Sequence, residues 1–295
     1  MRRDAVLLYA SGAILATTQL ASAQNQQLPD TEVEWLREFY ESTGGPTWLN
    51  REGWEQAATD GWDPEAVTPC PDATSSGWVG IKCMQDAKQV WHVQVLELVP
   101  GTPGIEMCSG NNITGELPAS FDGVPMLTTF KIAGPVPACA GSPGVRCDDG
   151  LPDLCIDRVG QLSGTMPSQL PANAGVFGLY NTQVSGTLPD SLPSSATLGA
   201  GLENLLLGNN RLSGGVPWKT VPTTLRQLEL RDNVGLVGSL AEDVFVAADT
   251  MTDLSLFNTQ LAGTMPRLPA SLQNLQLHKN GISVFPTYLD ALVNL

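Results

Sequence analysis

Apolar residues recur through the last two-thirds of this chain as a hexad of the form L-x-x-L-x-L. The clearest copies are Leu202-x-x-Leu205-x-Leu207, Leu225-x-x-Leu228-x-Leu230, Met251-x-x-Leu254-x-Leu256 and Leu272-x-x-Leu275-x-Leu277. In each closing Leu-x-Leu the period of two puts both leucines on one face of a short strand. Weaker copies open at Val93, Leu127, Leu151 and Ala174, so the spacing predicts about eight units across residues 93–291. A glycine phrase accompanies them, as in Ile113-Thr114-Gly115-Glu116-Leu117-Pro118 and Leu162-Ser163-Gly164-Thr165-Met166-Pro167. Its glycines, Gly115, Gly164, Gly186, Gly214, Gly238 and Gly263, lie 49, 22, 28, 24 and 25 residues apart, and 49 reads as two periods. A period in the twenties implies stacked coils, each burying its apolar face only against its neighbours. Stacked this way, the strands form a parallel sheet on a concave face, roughly 35–40 Å long at ~4.8 Å per strand.

The polar positions fit the same scheme. Asn111, Asn210, Asn233 and Asn280 follow the strand, where a buried amide satisfies backbone groups of adjacent coils; Thr182 and Thr259 offer a hydroxyl at the same place. The Gly-x-x-Pro ending turns the chain onto the convex side, because glycine permits unusual φ and proline blocks helix continuation. Before the repeats the pattern changes. Thr31-Glu32-Val33-Glu34 has the form of a capping box opening a helix to about Ser42, with Val33, Leu36, Phe39 and Tyr40 on one face. Six of the seven tryptophans precede residue 92, which predicts an aromatic cap over the first coil.

The repeat L-x-x-L-x-L-x-x-N-x-L-S-G-x-[IL]-P resembles the plant-type leucine-rich repeat of receptor-like kinase ectodomains and polygalacturonase inhibitors, over Val93 to Leu295. The segment Cys70 to Cys83, ending Trp78-Val79-Gly80-Ile81-Lys82-Cys83, is similar to the signature of that family's amino-terminal cap, with a longer first spacer. Phe39 to Trp48 resembles the openers of secreted repeat proteins from bacteria and protists. The resemblance implies an α/β fold: a right-handed leucine-rich-repeat solenoid, or horseshoe, with a parallel β-sheet on its concave face and an amino-terminal helical cap at residues 24–92. It also implies a Cys70–Cys83 disulfide. Cys139, Cys147, Cys155 and Cys108 are left to staple the irregular coils, with Cys139–Cys147 the shortest loop.

Residues 1–23 read as a secretory signal: Arg2 and Arg3, an apolar stretch from Ala5 to Leu20, then Ala21-Ser22-Ala23 before Gln24. An uncleaved anchor is the other reading of that stretch; no later segment approaches spanning length, so no membrane insertion is expected of the mature chain. Without the signal, 13 basic face 29 acidic residues, a net charge of −16 against −15 for the whole chain. That excludes a nucleic-acid partner, whose phosphates need a basic surface, and disfavours anionic membranes. Six cysteines, all after the signal, suit disulfides in an oxidising compartment, and Asn112-Ile113-Thr114 is a glycosylation sequon. Leu292 to Leu295 opens a possible ninth unit, which leads to the expectation of further repeats or a further domain beyond residue 295.

Catalytic patterns are missing. His92 and His278 stand far apart in a stacked array, and no G-x-S-x-G, H-E-x-x-H or phosphate-cradling glycine loop occurs. The expectation is therefore of no enzyme, no cofactor and no metal. Asp148, Asp149, Asp153 and Asp157 form an acidic cluster that reads as a solvated edge, with calcium as the alternative. What remains is the concave face, where residues between the strand leucines point outward. Tyr180, Arg226, Glu229, Arg231, Asp253, Phe257, Gln276 and His278 are the candidate ligand-binding residues, since arginine and aromatic side chains make good anchors. The family resemblance implies a secreted or cell-surface protein that binds a protein or peptide. Two alternatives stay open: glycan binding or inhibition of a wall-degrading enzyme, and a structural surface or matrix component.

Overall fold

The computed structural model describes residues 27–70, 77–100, 102, 103, 105, 111–134, 161–194, 198, 201–240 and 242–284. Two helices, α1 (Asp30–Ser42) and α2 (Trp54–Thr59), precede β1 (Ile81–Gln85) and β2 (Trp91–Leu98). There follow β3 (Thr114–Glu116), β4 (Thr129–Ala133), β5 (Gln161–Ser163), β6 (Val176–Tyr180), β7 (Ser185–Gly186), β8 (Asn204–Leu206) and β9 (Arg211–Gly215). The last six are β10 (Gln227–Glu229), β11 (Gly235–Leu240), β12 (Asp253–Ser255), β13 (Gln260–Thr264), β14 (Asn274–Gln276) and β15 (Gly281–Val284). The main sheet runs β1-β2-β4-β6-β8-β10-β12-β14. Only β1 is antiparallel, pairing with β2; from β2 onward every pair is parallel, as a coiling chain requires.

Leucine alternation builds this sheet as expected. Leu205, Leu228 and Leu254 align in register across β8, β10 and β12, and all three are buried. The count of coils differs from the sequence reading. Thr129 of β4 pairs directly with Val176 of β6, so the hexad opening at Leu151 contributes no strand between them. Likewise β3 pairs with β5, placing Gly115 beside Leu162 in adjacent coils. Across the 49-residue interval the described strands on either side are therefore direct neighbours, and among the described residues the concave sheet holds seven repeat strands plus β1. The hexad at Leu151, Cys108, Cys139, Cys147, Cys155 and the acidic cluster at Asp148 to Asp157 lie outside the described residues, as do residues 1–23 and 292–295.

The glycine phrase does more than turn the chain. It forms a second parallel sheet, β15-β13-β11-β9-β7, and the short pair β3–β5, joined by a bridge between Thr165 and Ser185. The phrase glycines adopt φ between 69° and 117°, the left-handed region closed to most side chains. At Gly115 a Cβ would also stand 2.1 Å from the Ser42 carbonyl oxygen, so this coil can dock on the end of α1 only with glycine.

Asparagine links the coils as predicted. The Asn233 amide donates to the carbonyls of Leu207 at 2.8 Å and Leu230 at 2.9 Å, and its Oδ1 accepts the Leu212 N–H at 3.1 Å. Asn210 and Asn280 repeat the pattern, and Thr182 and Thr259 donate their hydroxyls to those same two amides. Asn111 serves the cap instead, exchanging hydrogen bonds with the backbone of Asn50.

The cap is aromatic, and Phe39 is its hub. Its ring lies 5.5 Å from Trp35, 5.7 Å from Trp48, 5.9 Å from Trp54 and 6.1 Å from Phe130 of the solenoid. Three of the buried indoles have backbone acceptors: Trp35 donates to Ser120, Trp48 to Thr43 and Trp54 to Val79. Cys70 and Cys83 form the disulfide that the family resemblance implied. The capping box does not form. Helix α1 starts at Asp30, one residue before Thr31, with Pro29 at its N-cap and no side-chain cap, and Glu34 pairs with Arg37 instead. Both α-helices of the described residues belong to the cap, and none is long and apolar enough to cross a membrane.

Candidate functional site on the concave face

Strand register sets three outward rows on the main sheet. In the first, Val95, Thr129 and Val176 give way to Asn204, Gln227, Asp253 and Asn274. In the second, Glu97, Lys131, Gly178 and Leu206 are followed by Glu229, Ser255 and Gln276. Two residues further along each strand, Ala133 and Tyr180 precede Gly208, Arg231, Phe257 and His278. Apart from the Glu97–Lys131 pair, the face is more apolar beside the cap and polar towards the last coil.

Within the polar half, one column is built across three coils. The Arg231 guanidinium lies 5.7 Å above the Phe257 ring, and the other side of that ring stacks on His278 at 4.4 Å and 10°. Arg231 Nε donates to Glu229 at 2.7 Å and Nη1 to Asp232 at 3.2 Å. Asn258 in turn donates to Asp232 at 2.8 Å. The ring beneath it and one hydrogen bond to each of two carboxylates leave the guanidinium little rotamer freedom. Gly208 makes room for this arrangement, since a Cβ there would come within 2.4 Å of Glu229 Oε1.

Around the column, Asp253 gathers the amides of Asn274 at 2.6 Å and Gln227 at 3.4 Å, and Ser255 donates to Gln276 at 2.9 Å. Tyr180 stands on the apolar side. Burial, with Glu97 and Glu229 adding negative charge nearby, pushes its phenol up to about 12, so the hydroxyl is a permanent donor at neutral pH. Lys131 pairs with Glu97 at 3.0 Å.

The structure therefore brings Glu229, Arg231, Phe257 and His278 together and places Asp253 and Gln276 beside them. Tyr180 lies two coils before Arg231. Arg226 stands apart at the strand entry, exposed and paired with Glu203 at 3.3 Å. Asn112, the sequon residue, is exposed and donates its side-chain amide to Thr47 at 3.0 Å. His92 opens β2 and His278 follows β14, six strand spacings away, about 29 Å across the sheet before their offset along the strands is added. Among the described residues no group of three or more His, Cys, Asp or Glu could hold a metal ion.

Sequence reasoning missed one regular feature of this face. Asn181, Asn209, Asp232, Asn258 and Lys279, each just before a ladder residue, adopt φ of 53° to 57°. Their backbone N–H groups carry the inter-coil pairing past the strand ends, from Asn181 to Gly208, Asn209 to Arg231, Asp232 to Phe257 and Asn258 to His278. Asx residues tolerate this left-handed conformation, and their recurrence one place before the ladder was the available signal.

These features define a leucine-rich-repeat solenoid with an amino-terminal cap and a preorganised concave face. No family model matches the sequence, and no curated protein does. Solved structures of similar shape include the leucine-rich-repeat ectodomain of the receptor kinase SOBIR1 from Arabidopsis thaliana, at 16% identity over 88% of this chain and 98% of that one, TM-score 0.43. A pollen receptor kinase 3 is 18% identical over 76% of this chain and 86% of its own, TM-score 0.48. The BIR2 ectodomain from Arabidopsis thaliana is 16% identical over 89% and 97%, TM-score 0.43. The fold assignment rests on the periodicity and register described above.

Proposed function

We propose that this chain is an extracellular recognition protein, without catalytic activity, that binds a protein or peptide segment along the polar half of its concave face. The observation that supports it is the Arg231–Phe257–His278 column. Rigid arginine and aromatic groups lose little entropy on binding, which makes them effective anchors. The same column favours peptide over glycan. A sugar ring stacks on an open aromatic face, and the Phe257 ring already stacks on His278 with the Arg231 guanidinium over it. Edges, amides and carboxylates remain for a ligand, and these suit the alternating donors and acceptors of a polypeptide backbone. In this reading Tyr180, Glu229, Asp253 and Gln276 line the path, while Arg226 flanks it.

Selection from a displayed random-peptide library tests this, with a glycan array run in parallel. The expected result is an enriched peptide family whose affinity falls at least about tenfold with Arg231→Ala or Phe257→Ala, while folding is unchanged. Enrichment indifferent to both substitutions, or glycan binding that depends on them, would overturn the reading.

A further inference from the structure

Glu32 is the only fully buried carboxylate among the described residues. It projects from α1 toward β2, where its Oε2 accepts the Val93 N–H at 2.7 Å and its Oε1 lies 2.5 Å from His92 Nδ1. The other imidazole nitrogen, Nε2, points at Asp86 Oδ2 at 3.7 Å. Asp86 sits in the turn between β1 and β2, its other oxygen accepting the N–H groups of Lys88 at 2.8 Å and Val90 at 2.9 Å. His92 is thus the middle of a line that joins three elements: cap helix, hairpin turn and first repeat strand. The charged groups facing it are Glu32 from α1 and Asp86 from the turn; β1 sets Met84 opposite it.

We propose that His92 is a proton-operated latch: protonated, it bridges the Glu32 and Asp86 carboxylates and holds α1 on the first repeat strand, and on losing the proton it loosens that helix. Histidine is the side chain whose ordinary titration falls between about pH 5 and pH 8, so the latch works across extracellular pH values. The electrostatics run the same way. Burial pushes the Glu32 carboxyl above its ordinary value of 4.5, partly offset by the Val93 N–H and by His92. A carboxyl raised on folding gives stability that is full below 4.5 and declines as pH rises past it. Asp86 works in the opposite sense: the Val90 N–H leads in holding it below its ordinary 3.8, so its contribution is lost only in stronger acid. Docking of α1 is therefore tightest at mildly acidic pH. What loosens is a covering element, since Trp35 and Phe39 of α1 rest on Phe121 and Phe130 of the first coils.

The experiment is amide exchange of the intact chain, expressed as protection factors for α1, at about pH 5.5 and about pH 8. Wild type is expected to lose about tenfold protection in α1 at the higher pH. Glu32→Gln keeps both hydrogen-bonding atoms but not the charge, and should show no such change. His92→Gln supplies the same test if the first variant fails to fold. Strands β10 and β12, which carry no group of the line and pair only within the solenoid, should keep their protection throughout. A flat wild-type profile, equal losses in β10 and β12, or the wild-type slope surviving in a folded variant would each overturn the latch.

Discussion

The cap and the solenoid solve the burial problem in different ways. In the cap, Phe39 and its ring neighbours form a single cluster drawn from scattered positions, closed by the Cys70–Cys83 bridge. In the solenoid, each leucine meets its counterpart one coil away, and Asn233 reaches only the coil before, 26 residues back. One is a unique jigsaw, the other a nearest-neighbour stack. A cluster fails as a unit, whereas a stack transmits damage from coil to coil. The contrast also places function. The stack leaves its outward rows free for recognition side chains, while the cap spends its aromatics on covering apolar surface that the first coil would expose.

The largest effect is expected for Leu228→Asp, which puts an unpaired charge at a buried position in the middle of the stack. It should cost more than about 4 kcal/mol and abolish the cooperative strand transition seen by circular dichroism; a stable, folded variant would sink the register. Trp54→Ala comes next, at about 3–5 kcal/mol, since the ring is fully buried and touches Phe39, Tyr40, Trp48 and Trp78. Tryptophan fluorescence reports the cap almost alone, so this variant should separate the fluorescence transition from the circular-dichroism transition. If both fall together, cap and solenoid are one cooperative unit and the comparison needs redrawing. Asn233→Ala should cost about 1–3 kcal/mol by leaving the Leu207 and Leu230 carbonyls without their amide donor, detectable as a lower denaturant midpoint. Arg231→Ala is expected to change stability by no more than about 0.5 kcal/mol, because a half-exposed ion pair contributes little, which leaves its loss legible in binding alone.

Much of the solenoid was legible because a period of two within a period in the twenties is a strong local signal. The aromatic cap was legible from tryptophan density alone. The failures share a cause. Leu151-x-x-Leu154 matches the hexad, and nothing local distinguishes a repeat from an insertion of the same composition; the pairing of Thr129 with Val176 settles it. Thr31 offers a good capping side chain, but the helix starts one residue earlier, and Glu32 beside it serves His92 and Val93, 60 and 61 residues away. The candidate residues of the concave face were found by alternation, yet their grouping was not: Arg226 and Arg231 look alike in sequence, and only Arg231 has an aromatic ring beneath it in the next coil.

The sequence by itself determined the kind of object this is, a capped stack of leucine coils. The reason is that side-chain direction along a strand follows from neighbouring residues, and repetition multiplies that signal. Tertiary structure alone decided that Thr129 pairs directly with Val176, that the glycine phrases make a second sheet, that Phe257 stacks on His278 with Arg231 over its ring, and that a buried carboxylate ties the cap to the first strand. Each of these depends on which residue of one coil meets which residue of another, and that register is a contact between distant parts of the chain.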